Sequence, residues 1–169
     1  MNAAKSSRAP ARPPGRRPQG LADGKAAFRA YLTAEIMLAH VTAQALGLSS
    51  ADFFGLNIVG LRGPITAGDL AHSTGLTSGA ATRMIDRLEA AGFVRRVHDR
   101  TDRRRVHVEL DPSRQAEIDA VLDPGRRRLG ELFLGYTEEQ IGVLFDYFER
   151  ATPVLLAVAE EVQARLNPS

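Results

Sequence analysis

Residues 65–110 read ITAGDLAHSTGLTSGAATRMIDRLEAAGFVRRVHDRTDRRRVHVEL, and this stretch decides the fold. Thr66 stands three residues ahead of Asp69, the spacing of a helix N-terminal capping box. It opens a helix of about two turns that closes near Gly75. Thr77 is the next N-cap, and the helix it opens runs to Gly92. After Gly92 the period changes. Phe93 to His98 is strand-like, Asp99 to Asp102 reads as a turn, and Val106, Val108 and Leu110 alternate with Arg105, His107 and Glu109. Alternation of period two marks a half-buried strand, so the segment is a β-hairpin with an arginine-rich tip. A short helix, a tight turn, a longer helix and then a hairpin is the order of a winged helix-turn-helix.

The longer helix can be tested by its angles. At ~100° per residue, Ala80, Ala81, Met84, Ile85, Leu88 and Ala91 fall on one face. Ser78, Gly79, Thr82, Arg83 and Asp86 fall on the other. The outward residues of the first two turns are therefore small and polar, with one arginine. A helix that reads DNA enters the major groove by its N-terminal end, where bulk would hold it off the base edges. Serine and threonine can bond phosphates or bases, and arginine can pair with guanine through two hydrogen bonds. The unpaired N–H groups of the first turn add an anion site. Polar residues face solvent on any surface helix, so the helix argues for DNA binding through its neighbours, the short helix before it and the basic hairpin after it.

Working outward, residues 1–20 are rich in Pro, Arg, Ala and Gly, with five basic residues and no acid. This composition predicts a disordered basic tail, which either touches phosphates as a flexible arm or is a solvated end. Residues 21–169 read as one domain. About 22–46 form a helix whose apolar side chains (Phe28, Tyr31, Leu32, Ile36, Met37, Leu38, Val41) span more than one stripe and so need covering on several sides. Ser49 to Asp52 offer N-caps for a short helix that opens the winged lobe, about 50–111, and ends before Gly63-Pro64. Residues of about 112–166 are helical, with Asp123-Pro124-Gly125 expected to kink or split one helix, Pro153 a second kink, and Thr137 to Gln140 a capping box. The fold class is thus mainly α with a small β-hairpin wing, its winged core flanked by N- and C-terminal dimerisation helices.

The net charge is only +2, so the total says little about partners. Its distribution says more: residues 83–105 hold eight arginines against four acids. Clustered positive charge in a balanced chain is the footprint of phosphate binding, though a solvated charged surface would look the same on charge alone. Hydrophobic residues at 44% and charged residues at 25% are the balance of a soluble globular protein. The lack of cysteine excludes disulfides and thiolate metal sites. There is neither an apolar run long enough for a membrane helix nor an export signal, so the expected location is the cytoplasm. The four histidines lack metal-ligand spacing; His98 and His107 are read as partners across the hairpin. No nucleophile–base pair or glycine-rich phosphate loop stands out, so neither an enzyme nor a cofactor is expected.

The 65–110 stretch resembles the DNA-binding lobe of the MarR family of bacterial transcriptional regulators along its whole length, most specifically in TSGAATRMIDRLEAAGFVRR and DRTDRRRVHVEL. The likeness extends over about residues 25–166. It implies a homodimer on a pseudo-palindromic double-stranded DNA site, usually a repressor released by a small aromatic or phenolic effector. The candidate DNA contacts are Thr77, Ser78, Gly79, Thr82, Arg83, Arg100, Arg103 and Arg104. By resemblance, Asp102 and Arg104 brace the wing and Arg103 reaches the minor groove. The family's ligand cleft would be bordered by His40, Phe53, Phe54 and Asn57, although a structural histidine and core aromatics explain these residues equally well. Two departures stand out: Asp111 where the family ends its second strand with threonine, and the Asp-Pro-Gly interruption of a commonly continuous helix. Other readings of the same fold are an activator or anti-silencer without a ligand, and a protein-interaction module that has lost DNA binding.

Overall fold

The computed structural model describes residues 21–99, 101–102 and 104–166; the basic tail 1–20 and two of the candidate DNA contacts, Arg100 and Arg103, lie outside the described residues. The chain divides into two compact units, residues 1–34 and 35–169. The described part of the first is the opening of helix α1 (Leu21–Ala45), with Phe28, Tyr31 and Leu32 40–48% exposed and Thr33 Oγ1 donating to the Arg29 carbonyl at 2.9 Å.

The second unit holds the rest of α1, then α2 (Ser50–Arg62), strand β1 (Ile65–Thr66), α3 (Ala67–Thr74), α4 (Ser78–Ala90), β2 (Val94–His98), β3 (Val106–Leu110), a 3-10 turn at Pro112–Arg114, α5 (Gln115–Leu132) and α6 (Glu138–Leu166). The helix starts are chemical. Ser49 caps α2 by accepting the Asp52 N–H. Thr66 and Asp69 exchange both bonds of a capping box at the head of α3, at 3.1 and 3.0 Å. Thr77 caps α4 through the Ala80 N–H. The stops of α3 and α4 depend on glycine. Gly75 takes φ +67° and Gly92 φ +76°, left-handed values that L side chains rarely adopt. At Gly92 the Phe93 N–H reaches back to the Leu88 carbonyl and the Gly92 N–H to that of Glu89, both at 2.9 Å, the paired bonds of a Schellman stop.

The sheet is three-stranded and antiparallel, in the order β1-β3-β2. The sequence reading anticipated the β2–β3 hairpin but not β1, a two-residue strand that pairs Ile65 with Val108 and Thr66 with His107. The register sets Val97 opposite His107 and His98 opposite Val106, so the two histidines are not direct partners. The core gathers Phe53, Leu56 and Val59 of α2, Leu70 of α3, Met84, Ile85 and Leu88 of α4, Phe93 just before β2, Val94 and Val108 of the sheet, and Ile118 of α5. At Gly55 an added Cβ would collide with Met84 Sδ, so the missing side chain is what lets α2 and α4 approach.

Beyond the lobe, neither proline ends its helix. α5 runs unbroken across Pro124 and α6 across Pro153. The break falls instead at Phe133–Gly135, after which Thr137 and Gln140 form the expected capping box for α6. Asp111 caps the 3-10 turn through the Ser113 N–H at 2.8 Å; the Ser113 hydroxyl first, and then this bond, hold its carboxyl below the ordinary value. No side chain of α6 is buried, and Phe145, Phe148, Leu155, Val158 and Val162 are 39–60% exposed.

Candidate nucleic-acid interface

Helix α4 presents two unlike faces. Ala81, Met84, Ile85 and Leu88 are buried, and Ala80 and Ala91 half-buried, against α2, α3 and the sheet. Thr77, Ser78, Gly79, Thr82 and Arg83 are all exposed. Thr82 Oγ1 donates to the Ser78 carbonyl at 2.9 Å, which commits its proton and leaves its lone pairs outward. Any helix leaves its first-turn N–H groups without intrahelical partners; Thr77 occupies that of Ala80, so those of Ser78 and Gly79 lead the helix as a local positive pole. The Arg83 guanidinium lies back toward Gly79, with Nη1 3.7 Å from where a Cβ there would stand. Arg83 makes no ion pair among the described residues.

Other arginines of the basic cluster are committed. Arg96 of β2 bonds Asp86 at 2.6 Å and also Glu89, tying the first wing strand to α4. Both carboxylates raise the Arg96 pKa, with the Asp86 hydrogen bond the larger cause. That pairing also offsets the one acid on the outward face of α4. Arg95 pairs with Glu109 across the hairpin at 2.6 Å. Arg87 is held by Asp52, and Arg114 donates to the Ala91 carbonyl at the end of α4 while its guanidinium lies 4.4 Å over the Phe93 ring.

The wing turn is organised by an aspartate that the sequence reading treated only as a turn residue. Asp99 Oδ1 accepts from Thr101 Oγ1, the Thr101 N–H and the Asp102 N–H at 2.6, 2.7 and 3.0 Å. His107 Nε2 meets its Oδ2 at 3.0 Å. These bonds, that of the Thr101 hydroxyl first, hold the Asp99 carboxyl far below the usual carboxylate range. Asp102 and Arg104 do meet, but through the Asp102 carboxylate and the Arg104 N–H at 3.0 Å; among the described residues they form no side-chain ion pair. The Arg104 side chain is exposed. The signal for Asp99 was present in its spacing to Thr101, since an Asx turn needs an acceptor two residues before a free N–H.

A groove of about 440 Å³ opens between α2 and α5, lined among others by Phe53, Leu56, Asn57, Leu110, Gln115 and Arg126. Of the sequence-derived pocket candidates, Phe53 and Asn57 border it. Phe54 is exposed elsewhere on α2, and His40 Nδ1 bonds Ser50 Oγ at 2.9 Å. Among the described residues no cluster of three or more His, Cys, Asp or Glu could hold a metal ion, and no helix is long and apolar enough to cross a membrane.

Residues 48–106 match the MarR family. Over 128 residues, 76% of this chain and 83% of the relative, the sequence is 35% identical to the HTH-type transcriptional regulator YcgE of Bacillus subtilis. It is 31% identical over 100 residues, 58% of this chain and 63% of the relative, to the HTH-type transcriptional repressor NicR of Pseudomonas putida. The fold is similar to that of a MarR family protein from Bacillus stearothermophilus, with a TM-score of 0.59 and 21% identity over 79% of this chain and 94% of that one. Its winged lobe and its likeness to these regulators together place the chain in the MarR family of DNA-binding transcriptional regulators, a family of regulators and not of enzymes.

Proposed function

We propose that this regulator is a homodimeric repressor that sets the N-terminal face of α4 into the major groove of each half of a pseudo-palindromic site. The observation that carries the reading is that face itself: Thr77, Ser78, Gly79 and Thr82 are small and exposed, and Arg83 beside them has no carboxylate partner among the described residues. Arg83 supplies base readout, and Arg104 with Arg100 and Arg103 supplies wing contacts, by analogy with the family pattern. Two half-sites one turn apart require recognition helices ~34 Å apart, which one chain cannot provide. The apolar side chains left exposed on α6 and on α1 supply the material for a subunit interface. A second copy of this chain also meets the symmetry of the site.

The groove between α2 and α5 is the proposed effector site, with an apolar floor at Phe53 and Leu56 and polar groups at Asn57 and Gln115. An aromatic ligand there would bear on the joint between the lobe and α5, favouring a spacing that cannot span both half-sites. His40, bonded to Ser50, stands outside the groove lining, so His40→Ala should leave ligand affinity unchanged while Asn57→Ala lowers it. The protein acts where the chromosome is, in the cytoplasm.

Selection of bound sequences from a random DNA pool, followed by light scattering of the complex, tests the reading. An enriched inverted repeat bound by two chains supports it. Enrichment of no sequence, or one chain per site, overturns it. A reporter driven by the selected site then separates repression from activation.

A further inference from the structure

Asp52 is the one buried acid of the described core, 6% exposed in the first turn of α2. Its carboxylate accepts three bonds. Oδ1 accepts Arg87 Nη2 at 2.6 Å, and Oδ2 accepts Arg87 Nε at 3.1 Å and Ser49 Oγ at 2.8 Å. Burial works against the ionised form, but the bonds from Arg87 and Ser49 outweigh it and hold the carboxyl below its ordinary value. Arg87 stands one turn after Arg83 on α4. At ~100° per residue the two lie about 40° apart around the helix, so Arg87 belongs to the edge of the outward face. Its guanidinium nonetheless turns aside to α2.

Only the Asp52 side of this pair is buried, the Arg87 side chain being 56% exposed, so solvent screens the attraction and burial of the carboxylate offsets part of it; what the pair adds is geometry. The two parallel bonds of an arginine–carboxylate fork fix distance and angle together. One turn away, α2 and α4 also meet where Met84 packs on Gly55, an apolar contact without direction that would let α4 roll. The fork at Asp52 and the Met84 contact are three residues apart on both helices, so together they hold two successive turns of α4 to α2 and bear on its rotation about its axis, alongside the packing on α3 and the sheet.

We propose that Asp52 and Arg87 are a positioning pair for DNA reading: the fork sets the roll of α4 that turns Ser78, Gly79, Thr82 and Arg83 to the groove, and Arg87 itself holds no phosphate. The proposal rests on the reading of that face as the DNA contact. Electrostatics and positioning make opposite forecasts. Asp52→Asn removes a negative charge and releases an arginine beside the reading face, so charge alone predicts tighter binding and a steeper salt dependence. Positioning predicts weaker binding to the selected operator, by about tenfold, the worth of roughly one base contact, with non-specific affinity and salt slope unchanged.

The test is fluorescence anisotropy of the full chain on selected and scrambled DNA at several salt concentrations, with Asp52→Asn, Arg87→Lys, Arg87→Gln and Arg83→Ala. Circular dichroism melts establish that each variant is folded at the assay temperature, so a role in stability alone would move the melt and leave the affinity of folded protein in place. Arg87→Lys keeps the charge and loses the fork. It should behave as Asp52→Asn does, and it carries the test if Asp52→Asn fails to fold. An Arg87→Lys protein that binds the operator as well as the parent, or a salt slope that falls by about one for Arg87→Gln, overturns the proposal. If Arg83→Ala also binds normally, the fault lies in the reading of the α4 face; if Arg83→Ala weakens binding and the fork variants do not, the positioning pair alone is wrong.

Discussion

Leu155→Glu should convert the proposed homodimer to a monomer that no longer holds an operator. Leu155 is 60% exposed in one chain, and it shares a line along α6 with Phe148 and Val162, each seven residues away and 39% and 50% exposed. Full burial of a leucine contributes about 1.5–3 kcal/mol, so covering the exposed remainder of Leu155 is worth about 1–2 kcal/mol. A two-fold interface uses every residue twice, which makes it about 2–4 kcal/mol per dimer. Glutamate forfeits that and also requires a carboxylate to be desolvated on each side, at several kcal/mol more unless it finds a partner. The dimer dissociation constant should therefore rise by at least a hundredfold to a thousandfold. Sedimentation velocity over nanomolar to micromolar concentrations reads this directly, and the melt of the winged lobe should not move, because α6 contributes nothing to its core. A Leu155→Glu protein that still sediments as the parent dimer would refute the placement of the interface on this line of α6.

Arg83→Ala should weaken binding to the selected operator by ~1–3 kcal/mol and relax base preference at one position of each half-site, read by competition with single-base operator variants. Asp99→Ala should loosen the wing turn, seen as faster amide exchange at Thr101 and Asp102, whose N–H groups Asp99 holds. The sign of the pH dependence follows from the lowered Asp99 pKa. The folded state favours the ionised form, so this contribution is complete above the ordinary carboxylate range and fades as pH falls toward the depressed folded value. Slow exchange at both amides should thus persist through mildly acidic pH and disappear only in strong acid; loss near neutrality would refute the assignment to Asp99.

The winged lobe was legible because its signals are local. Capping at Thr66 and Thr77, the glycine stops, the 3.6-residue period of α4 and the two-residue period of β3 each sit within a few positions of the feature they specify. β1 escaped because two residues carry no period, and its partner Val108 lies far along the chain. Whether Pro124 kinks α5 or splits it is not legible locally for a related reason: a proline removes one bond from a helix, but whether the helix goes on, as α5 does, depends on everything around it. In the candidate site, the exposed residues of α4 could be placed by angle, whereas which arginines are already paired could not. Arg87 with Asp52 spans 35 positions and Arg95 with Glu109 spans 14. His40 shows the same gap, for the proximity of Ser50 depends on how α1 meets α2.

Pairing changes what the basic cluster can do. By composition, eight arginines between 83 and 105 face four acids. In the structure Arg87, Arg95 and Arg96 are matched to Asp52, Glu109, Asp86 and Glu89, and Asp99 and Asp102 are occupied by the wing turn. What remains unmatched by ion pairs among the described residues is Arg83 on the helix and Arg104 and Arg105 at the wing, and of these Arg83 and Arg104 meet DNA in the proposed complex. A paired arginine that turned to a phosphate would leave its carboxylate behind, so counterion release should follow the unmatched residues and not the total. Arg104→Gln should reduce the salt slope of operator binding by about 0.9 for each phosphate that Arg104 neutralises, whereas Arg95→Gln should leave it nearly unchanged. Equal reductions in the two variants would mean that the Arg95–Glu109 pair opens on DNA and that the cluster acts by its total charge after all.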